Sequence, residues 1–295
     1  MPARLIGHLG ALVAVLCWGL SFGVGRELAL AGAPWTLSAW RYTLAWLAAA
    51  ALARLVHGKT APPATQARTL AAMGLLGHAG FGVCFFLGVE KTAPVVAAAI
   101  SGLEPLLIYL IGAAAFGHRP GAPRWLGMGL ATAGAAWVNW AGASPAANGA
   151  GLPDGPLWIL ASAACFALYT HLGAKLATPP LVSLAATLRA ALPILWLGAC
   201  AEHLSGAAAL AVPDLPGLAF FVLGVTVAAF LGWNEAVSRL GPLAAANWAS
   251  LIPLVAVAGE AWSGKPVPAP ILMGTVLLAA GLSLAARPRR KLAQS

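Results

Sequence analysis

Residues 17–51 and 165–199 are one segment written twice at a spacing of 148, and that spacing returns at 94–106 and 242–254. Cys17 falls on Cys165, Gly25 on Gly173, Arg41 on Arg189, Pro94 on Pro242 and Pro105 on Pro253. Further on the spacing becomes 147, pairing Pro123 with Pro270, Gly127 with Gly274 and Gly134 with Gly281. Leucine and alanine matches arise by chance in an alanine-rich chain, so the proline, glycine and arginine pairs weigh most. The expected organisation is a tandem duplication, residues 1–143 and 155–290.

With 60% hydrophobic and 8% charged residues, against about 25% charged in soluble domains, the chain could not cover its surface with polar groups in water. A bilayer is the solvent it suits. A helical span needs roughly 20 mainly apolar residues, and ten such stretches are read: 7–29, 34–56, 69–90, 94–116, 122–141, 155–176, 181–204, 216–238, 242–263 and 267–286. They are too long and continuous for the alternating strands of a barrel. The expected fold is all-α and integral to the membrane, with five spans in each half. An odd count makes the second half enter from the opposite side, so the two repeats are expected to be inverted.

Charge tests the orientation. With a cytoplasmic N-terminus, the inner side receives Arg4, Arg54, Lys59, Arg68, Arg119, Arg124, Lys175, Arg239, Arg287, Arg289, Arg290 and Lys291. The outer side receives Arg26, Lys91 and Lys265. This asymmetry follows the positive-inside rule and predicts cytoplasmic N- and C-termini. The net charge of +9 therefore does not point to nucleic acid, for the positive residues flank spans, and the Arg287–Lys291 cluster suits anionic lipid head groups. Residues 5–25 could also be read as a signal peptide, but the same segment recurs as an internal span. Cys17, Cys84, Cys165 and Cys200 all lie within spans, with no CxxC pair and no metal-ligand spacing; no metal or cofactor is expected.

The pattern resembles the EamA-type drug/metabolite transporters. The resemblance rests on CWGLSFGVGREL (Cys17–Leu28), WRYTLAWL (Trp40–Leu47), the segment Gly88–Pro120 with its LEP at Leu103–Pro105, and the second copy Arg239–Pro266. It implies a secondary transporter of small metabolites, often an exporter of amino acids or related compounds, working without ATP. It also implies a central cavity lined by spans one to four and six to nine, in a bacterial cytoplasmic (inner) membrane. The chain departs from an even duplication at Ile252, which stands where Glu104 stands in the first copy.

The residues lead to a similar place. Substrate sites of inverted-repeat transporters tend to lie near the midplane at discontinuous helices, and Pro105 and Pro253 each fall eleven residues after the proline that opens their span. A mid-span proline removes a backbone donor, freeing carbonyls near Ser101 and Ala249. Glu104 is the sharpest candidate, since an ionisable group in a span costs at least about 2.5–3.5 kcal/mol at the centre and usually faces a cavity or partner. Three roles stay open for it: binding a substrate amine, carrying a coupling proton, or hydrogen-bonding in protonated form to freed backbone. His78, in span three, is read either as sharing that proton or as a packing residue. Trp18 with its repeat mate Phe166, and Tyr109, Tyr169, Asn247 and Trp248, are expected to line a mostly apolar pocket with a few polar groups. Arg41 and Arg189 are read first as structural, snorkelling or clamping helix ends, with substrate binding as the alternative.

Spans five and ten carry glycines seven apart on one face, expected to be structural supports or a homodimer surface. No HExxH or acidic metal cluster is present in the sequence. The reading is thus a carrier of a small-molecule substrate, with proton coupling open, and a channel, a lipid-handling protein or a membrane enzyme as alternatives.

Overall fold

The computed structural model describes residues 3–58, 61–117, 121–142, 154–206 and 215–285, all helical or in short turns between helices, with no strand among them. The Arg287–Lys291 cluster, Lys59 and Arg119 lie outside the described residues. In chain order the helices are α1 (Ala3–Ala31), α2 (Pro34–His57), α3 (Ala64–Lys91), α4 (Pro94–Phe116), α5 (Ala122–Gly142), α6 (Asp154–Gly173), α7 (Pro180–Leu204), α8 (Leu215–Leu240), α9 (Pro242–Trp262) and α10 (Ala269–Ala285). Seven of them, α1, α3, α4, α6, α7, α8 and α9, are long and apolar enough to cross a membrane. The helix α10 is apolar but only 17 residues long, while α2 and α5 are longer and more polar. On α1, Leu5, Leu9, Leu12, Val13, Leu16 and Leu20 form one exposed apolar face, the pattern of a helix bordered by hydrocarbon.

Proline opens α2, α4, α7 and α9 at the first turn, where its missing N–H is an orphan in any helix. Inside α4 and α9 the second prolines act as expected. The helix α4 runs to Ser101, tightens at Gly102–Leu103 and resumes at Glu104; α9 runs to Ala249 and resumes at Ile252. Both breaks have one geometry, with Leu103 at φ −82°, ψ −4° and Leu251 at φ −86°, ψ −13°. In each, one amide turns back three residues, Leu103 to Ile100 and Leu251 to Trp248. A feature without a sequence signal accompanies them: α3 and α8 each pass through a π-helical stretch, Leu75–Gly80 and Phe220–Ala228.

Burial follows the repeat spacing. Gly7, Ala11, Ala14, Val15, Trp18 and Gly19 of α1 are buried, and so are Gly155, Ile159, Ser162, Ala163, Phe166 and Ala167 of α6, each 148 residues on. In α2 and α7 the register differs: buried Thr36, Ser38, Arg41, Tyr42, Ala45, Ala49 and Ala53 recur at 146 as Val182, Leu184, Thr187, Leu188, Ala191, Leu195 and Ala199. The cause is local, since α7 starts at Pro180, 146 residues after Pro34. Arg41 therefore shares its burial position with Thr187 and not with Arg189, which is exposed.

The packing pairs α1 with α8 and α3 with α6, α2 with α7, α1 with α9 and α4 with α6, and α5 with α10. Lipid gives helices no hydrophobic reason to associate, so small residues that allow close approach matter. A Cβ on Gly10 would overlap the carbonyl of Gly232, and one on Gly127 or Gly134 would overlap the backbone of α10 at Gly281–Ala285 or Gly274–Leu278. The two glycine faces thus close on each other within one chain. Of the two roles expected for them, this contact within the chain is that of a structural support. At one end of the bundle Glu202, near the close of α7, accepts the backbone N–H groups of Trp35 (3.0 Å) and Thr36 (2.8 Å), capping the first turn of α2.

Candidate functional site

Beside the break in α4 lies a central cavity lined by Trp18, Ser21 and Phe22 of α1, Arg41 of α2, Phe81 and Phe85 of α3, Ser101 and Glu104 of α4, Phe166 of α6, Phe221 and Val225 of α8, and Ile252 of α9. Its volume is about 20 Å³, room for about one water. The two helix breaks meet here, since a Cβ on Gly102 would lie 2.7 Å from Cγ of Pro253. Only glycine allows α4 and α9 to approach this closely at that level.

The polar groups of the cavity are few and buried. Arg41 has no exposed surface. Its Nε donates to Thr226 Oγ1 at 2.8 Å, and its guanidinium carbon lies 4.6 Å from the Tyr42 ring centre and 4.9 Å from that of Phe221, the aromatic faces stabilising the cation. Thr226 passes its own proton five residues back to the Phe221 carbonyl, 2.8 Å, a contact the π-helical stretch of α8 makes available. Both terminal nitrogens of Arg41 are left without a partner, as is Oε2 of Glu104, itself 5% exposed. Among the described residues no ion pair joins the two. Around them, Trp18 donates its Nε1 to the Val225 carbonyl at 3.1 Å and meets Phe166 edge to face at 5.0 Å.

The expected site residues divide into three groups. Trp18, Glu104 and Phe166 line the cavity, and Pro105 and Pro253 sit at the breaks beside it. His78 and Tyr169 stand one layer behind, with ring centres 5.5 Å apart. His78 meets Thr187 Oγ1 at 3.0 Å through Nε2, and Tyr169 donates to Asn234 at 3.0 Å. His78 is not among the residues that line the cavity. Tyr109, Asn247 and Trp248 form a separate cluster towards the start of α1: Tyr109 donates to Asn247 Oδ1 at 3.2 Å, and Trp248 donates to His8 Nδ1 at 3.2 Å.

Sequence reasoning missed the cavity roles of Phe22, Phe81, Phe85 and Phe221, and placed that of Arg41 second. Phe81 and Phe85 are one helical turn apart, a usable signal for a shared face, but spacing alone does not say which face turns inward. The structural reading of Arg41 rests on its apparent match to Arg189, which the 146-residue register of α2 and α7 dissolves. A second cavity of about 620 Å³ lies between α1 and α9, bordered by Leu16, Gly19, Leu20, Gly23, Glu27, Val255, Glu260, Trp262 and Lys265. Phe22 borders both cavities.

Known proteins agree with this architecture. The chain is similar to an uncharacterized transporter, YyaM, of Bacillus subtilis (strain 168), 23% identical over 268 residues, covering 90% of this chain and 88% of that protein. A solved structure, described only as the crystal structure of a protein, superposes with a TM-score of 0.69 at 19% identity over 96% of this chain and 97% of its own; at that identity the likeness shows the fold alone. Residues 5–140 match the model of the EamA-like transporter family. This part of the chain is therefore similar to that family, and the apolar, all-helical architecture is that of a multi-pass membrane protein.

Proposed function

We propose that the protein is a secondary carrier of a small organic metabolite, an amino acid or related compound moved outward across a bacterial cytoplasmic membrane by alternating access. In this reading all ten helices are spans, residues 1–143 and 155–290 are inverted repeats, and both termini are cytoplasmic.

The observation that carries it is a pair of mirrored bonds. Arg41 of α2 bonds Thr226 of α8, and Thr187 of α7 bonds His78 of α3. By burial position Arg41 corresponds to Thr187, and Thr226 lies 148 residues after His78. Each bond is the image of the other under exchange of the halves. The matched breaks at Leu103 and Leu251, the matched π-helical stretches and the pairwise packing support the same exchange. Two halves with interchangeable contacts can trade conformations by rocking.

A cavity of about 20 Å³ is smaller than any organic metabolite, so loading requires the halves to move. With the termini cytoplasmic, the 620 Å³ cavity between α1 and α9 lies toward the outer side, and Phe22 separates it from the centre. The inner end is held by the Tyr109–Asn247 and Trp248–His8 contacts and by His171 against the Ile108 carbonyl at 2.7 Å. In this reading Tyr109, Asn247 and Trp248 close the inner path and do not surround the bound substrate. A channel would need a continuous path, and Phe22 stands between these two cavities.

The test is counterflow in proteoliposomes across amino acids, amines, sugars and purines, with and without a proton gradient. Saturable exchange of one class is expected. Unsaturable flux without exchange would indicate a channel, and silence from a folded preparation would favour lipid handling or an enzyme. A gradient that drives net flux in the wild type but not in Glu104→Gln would assign proton coupling to that residue. A reporter fused after Ser295 that reads from the outer side would overturn the orientation.

A further inference from the structure

We propose that Arg41 and Glu104 form a two-point site for a zwitterion bearing an apolar group. The guanidinium takes the ligand's carboxylate, the Glu104 carboxylate takes its ammonium, and Phe22, Phe81, Phe85 and Phe166 take the apolar part. The proposal rests on the carrier reading and names the substrate chemistry of its central cavity.

Two groups of opposite charge line one cavity, are nearly or wholly buried, and are not paired with each other. Arg41 is already oriented: Nε is fixed on Thr226, and two aromatic rings hold the plane of the guanidinium. What remains is the pair of terminal nitrogens, both unpartnered. A guanidinium presents parallel N–H donors in a fork that matches a carboxylate, so the free edge selects a planar anion over a point charge. Glu104 opens the second half of α4 after the break, and its Oε2 is likewise unpartnered, an acceptor suited to an ammonium donor.

Charge balance narrows the ligand further. An unpaired ion in a low-dielectric site is costly, and removing one partner from a buried pair is worse than removing both. A monocarboxylate would satisfy Arg41 and leave Glu104 unpaired, and a monoamine would do the reverse. A ligand carrying both charges satisfies both walls and leaves the cavity neutral. The remaining lining is aromatic and aliphatic apart from Ser21 and Ser101, and Ser21 already donates to the Trp18 carbonyl at 2.7 Å. Little is left to recognise a polar side chain.

Three probes that differ only in charge test this: leucine, 4-methylpentanoate (leucine without its ammonium) and 3-methylbutylamine (leucine without its carboxylate). Thermal protection of the full-length protein in detergent reads binding, and leucine counterflow in proteoliposomes reads transport. Leucine is expected to protect at concentrations at least about tenfold lower than either analogue. In Glu104→Gln its advantage over 4-methylpentanoate should vanish while that over 3-methylbutylamine persists, and Arg41→Gln should show the reverse. Should Arg41→Gln not fold, Arg41→Lys keeps the charge without the fork and is expected to weaken leucine by about tenfold or more.

If 4-methylpentanoate equals leucine in the wild type, as with a neutral Glu104, the two-point site is wrong. It is equally wrong if 3-methylbutylamine equals leucine, if no probe protects, or if the Arg41 variants leave the order of the probes unchanged. Counterflow without charge preference would keep the carrier and remove this site. Charge preference in binding without counterflow would keep the site and remove the carrier.

Discussion

The first half of the chain brings Arg41, His78 and Glu104 to the centre of the protein; at the corresponding burial positions the second half brings Thr187, Thr226 and Ile252. The contact geometry is shared while the chemistry is not. Arg41 with Thr226 and His78 with Thr187 are one contact made twice, each joining an ionisable group of the first half to a hydroxyl of the second. Duplicated packing can survive such divergence because a hydroxyl accepts from a guanidinium or pairs with an imidazole in the same space. The consequence is a cavity whose charge comes from one half alone, suited to a ligand with distinguishable ends.

The largest expected break of this comparison is at its least symmetric pair. Glu104→Gln should lower counterflow more than about tenfold, the scale at which one charged contact alters affinity, while Ile252→Val on the opposite wall should lower it less than about threefold; rates per folded molecule decide it. Equal losses would make the charge irrelevant. The mirrored bonds come next. Thr226→Val removes a bond to a cation and should destabilise by about 1.5–3 kcal/mol, against about 1 kcal/mol for Thr187→Val, which deprives His78 of a neutral partner; thermal unfolding in detergent measures both. Similar values would mean that Arg41 draws its stabilisation from the Tyr42 and Phe221 rings instead.

The peripheral pair offers a contrast in kind. Gly127→Leu forces a side chain into the α10 backbone and should destabilise by about 1–3 kcal/mol, yet leave counterflow per folded molecule near the wild type, because α5 contributes no residue to the cavity. The smallest effect is expected at Arg189→Gln, within about 0.5 kcal/mol, as for exposed positions generally. A large loss there would restore the sequence pairing of Arg41 with Arg189.

Much of the architecture was legible in the chain because its signals are local. Long apolar runs mark helices, proline marks their starts and breaks, and glycines seven apart mark one face. Glu104, Pro105, Pro253, Trp18 and Phe166 could be reached on those terms. Tyr109, Asn247 and Trp248 could not be separated from them, because a helix such as α4 presents Glu104 and Tyr109 at levels more than a turn apart and only packing shows which level is hollow. The two readings of His78 stay open in the sequence for a similar reason: a buried imidazole in mid-span reads the same whether it faces a cavity or, as here, the threonine of a neighbouring helix.

By itself the sequence determined an all-helical chain too apolar for water, its internal spacing and the positions of its helix breaks, since these depend on backbone chemistry and composition within a few turns. Only the tertiary structure decided that α7 begins two residues early, that Arg41 turns inward while Arg189 turns out, that the glycine faces of α5 and α10 close on each other, and that Arg41 and Glu104 share one cavity. Those outcomes depend on how each helix is rotated and slid against its neighbours. A shift of two residues turns a helix by about 200°, enough to move an arginine from the lipid-facing side to the centre.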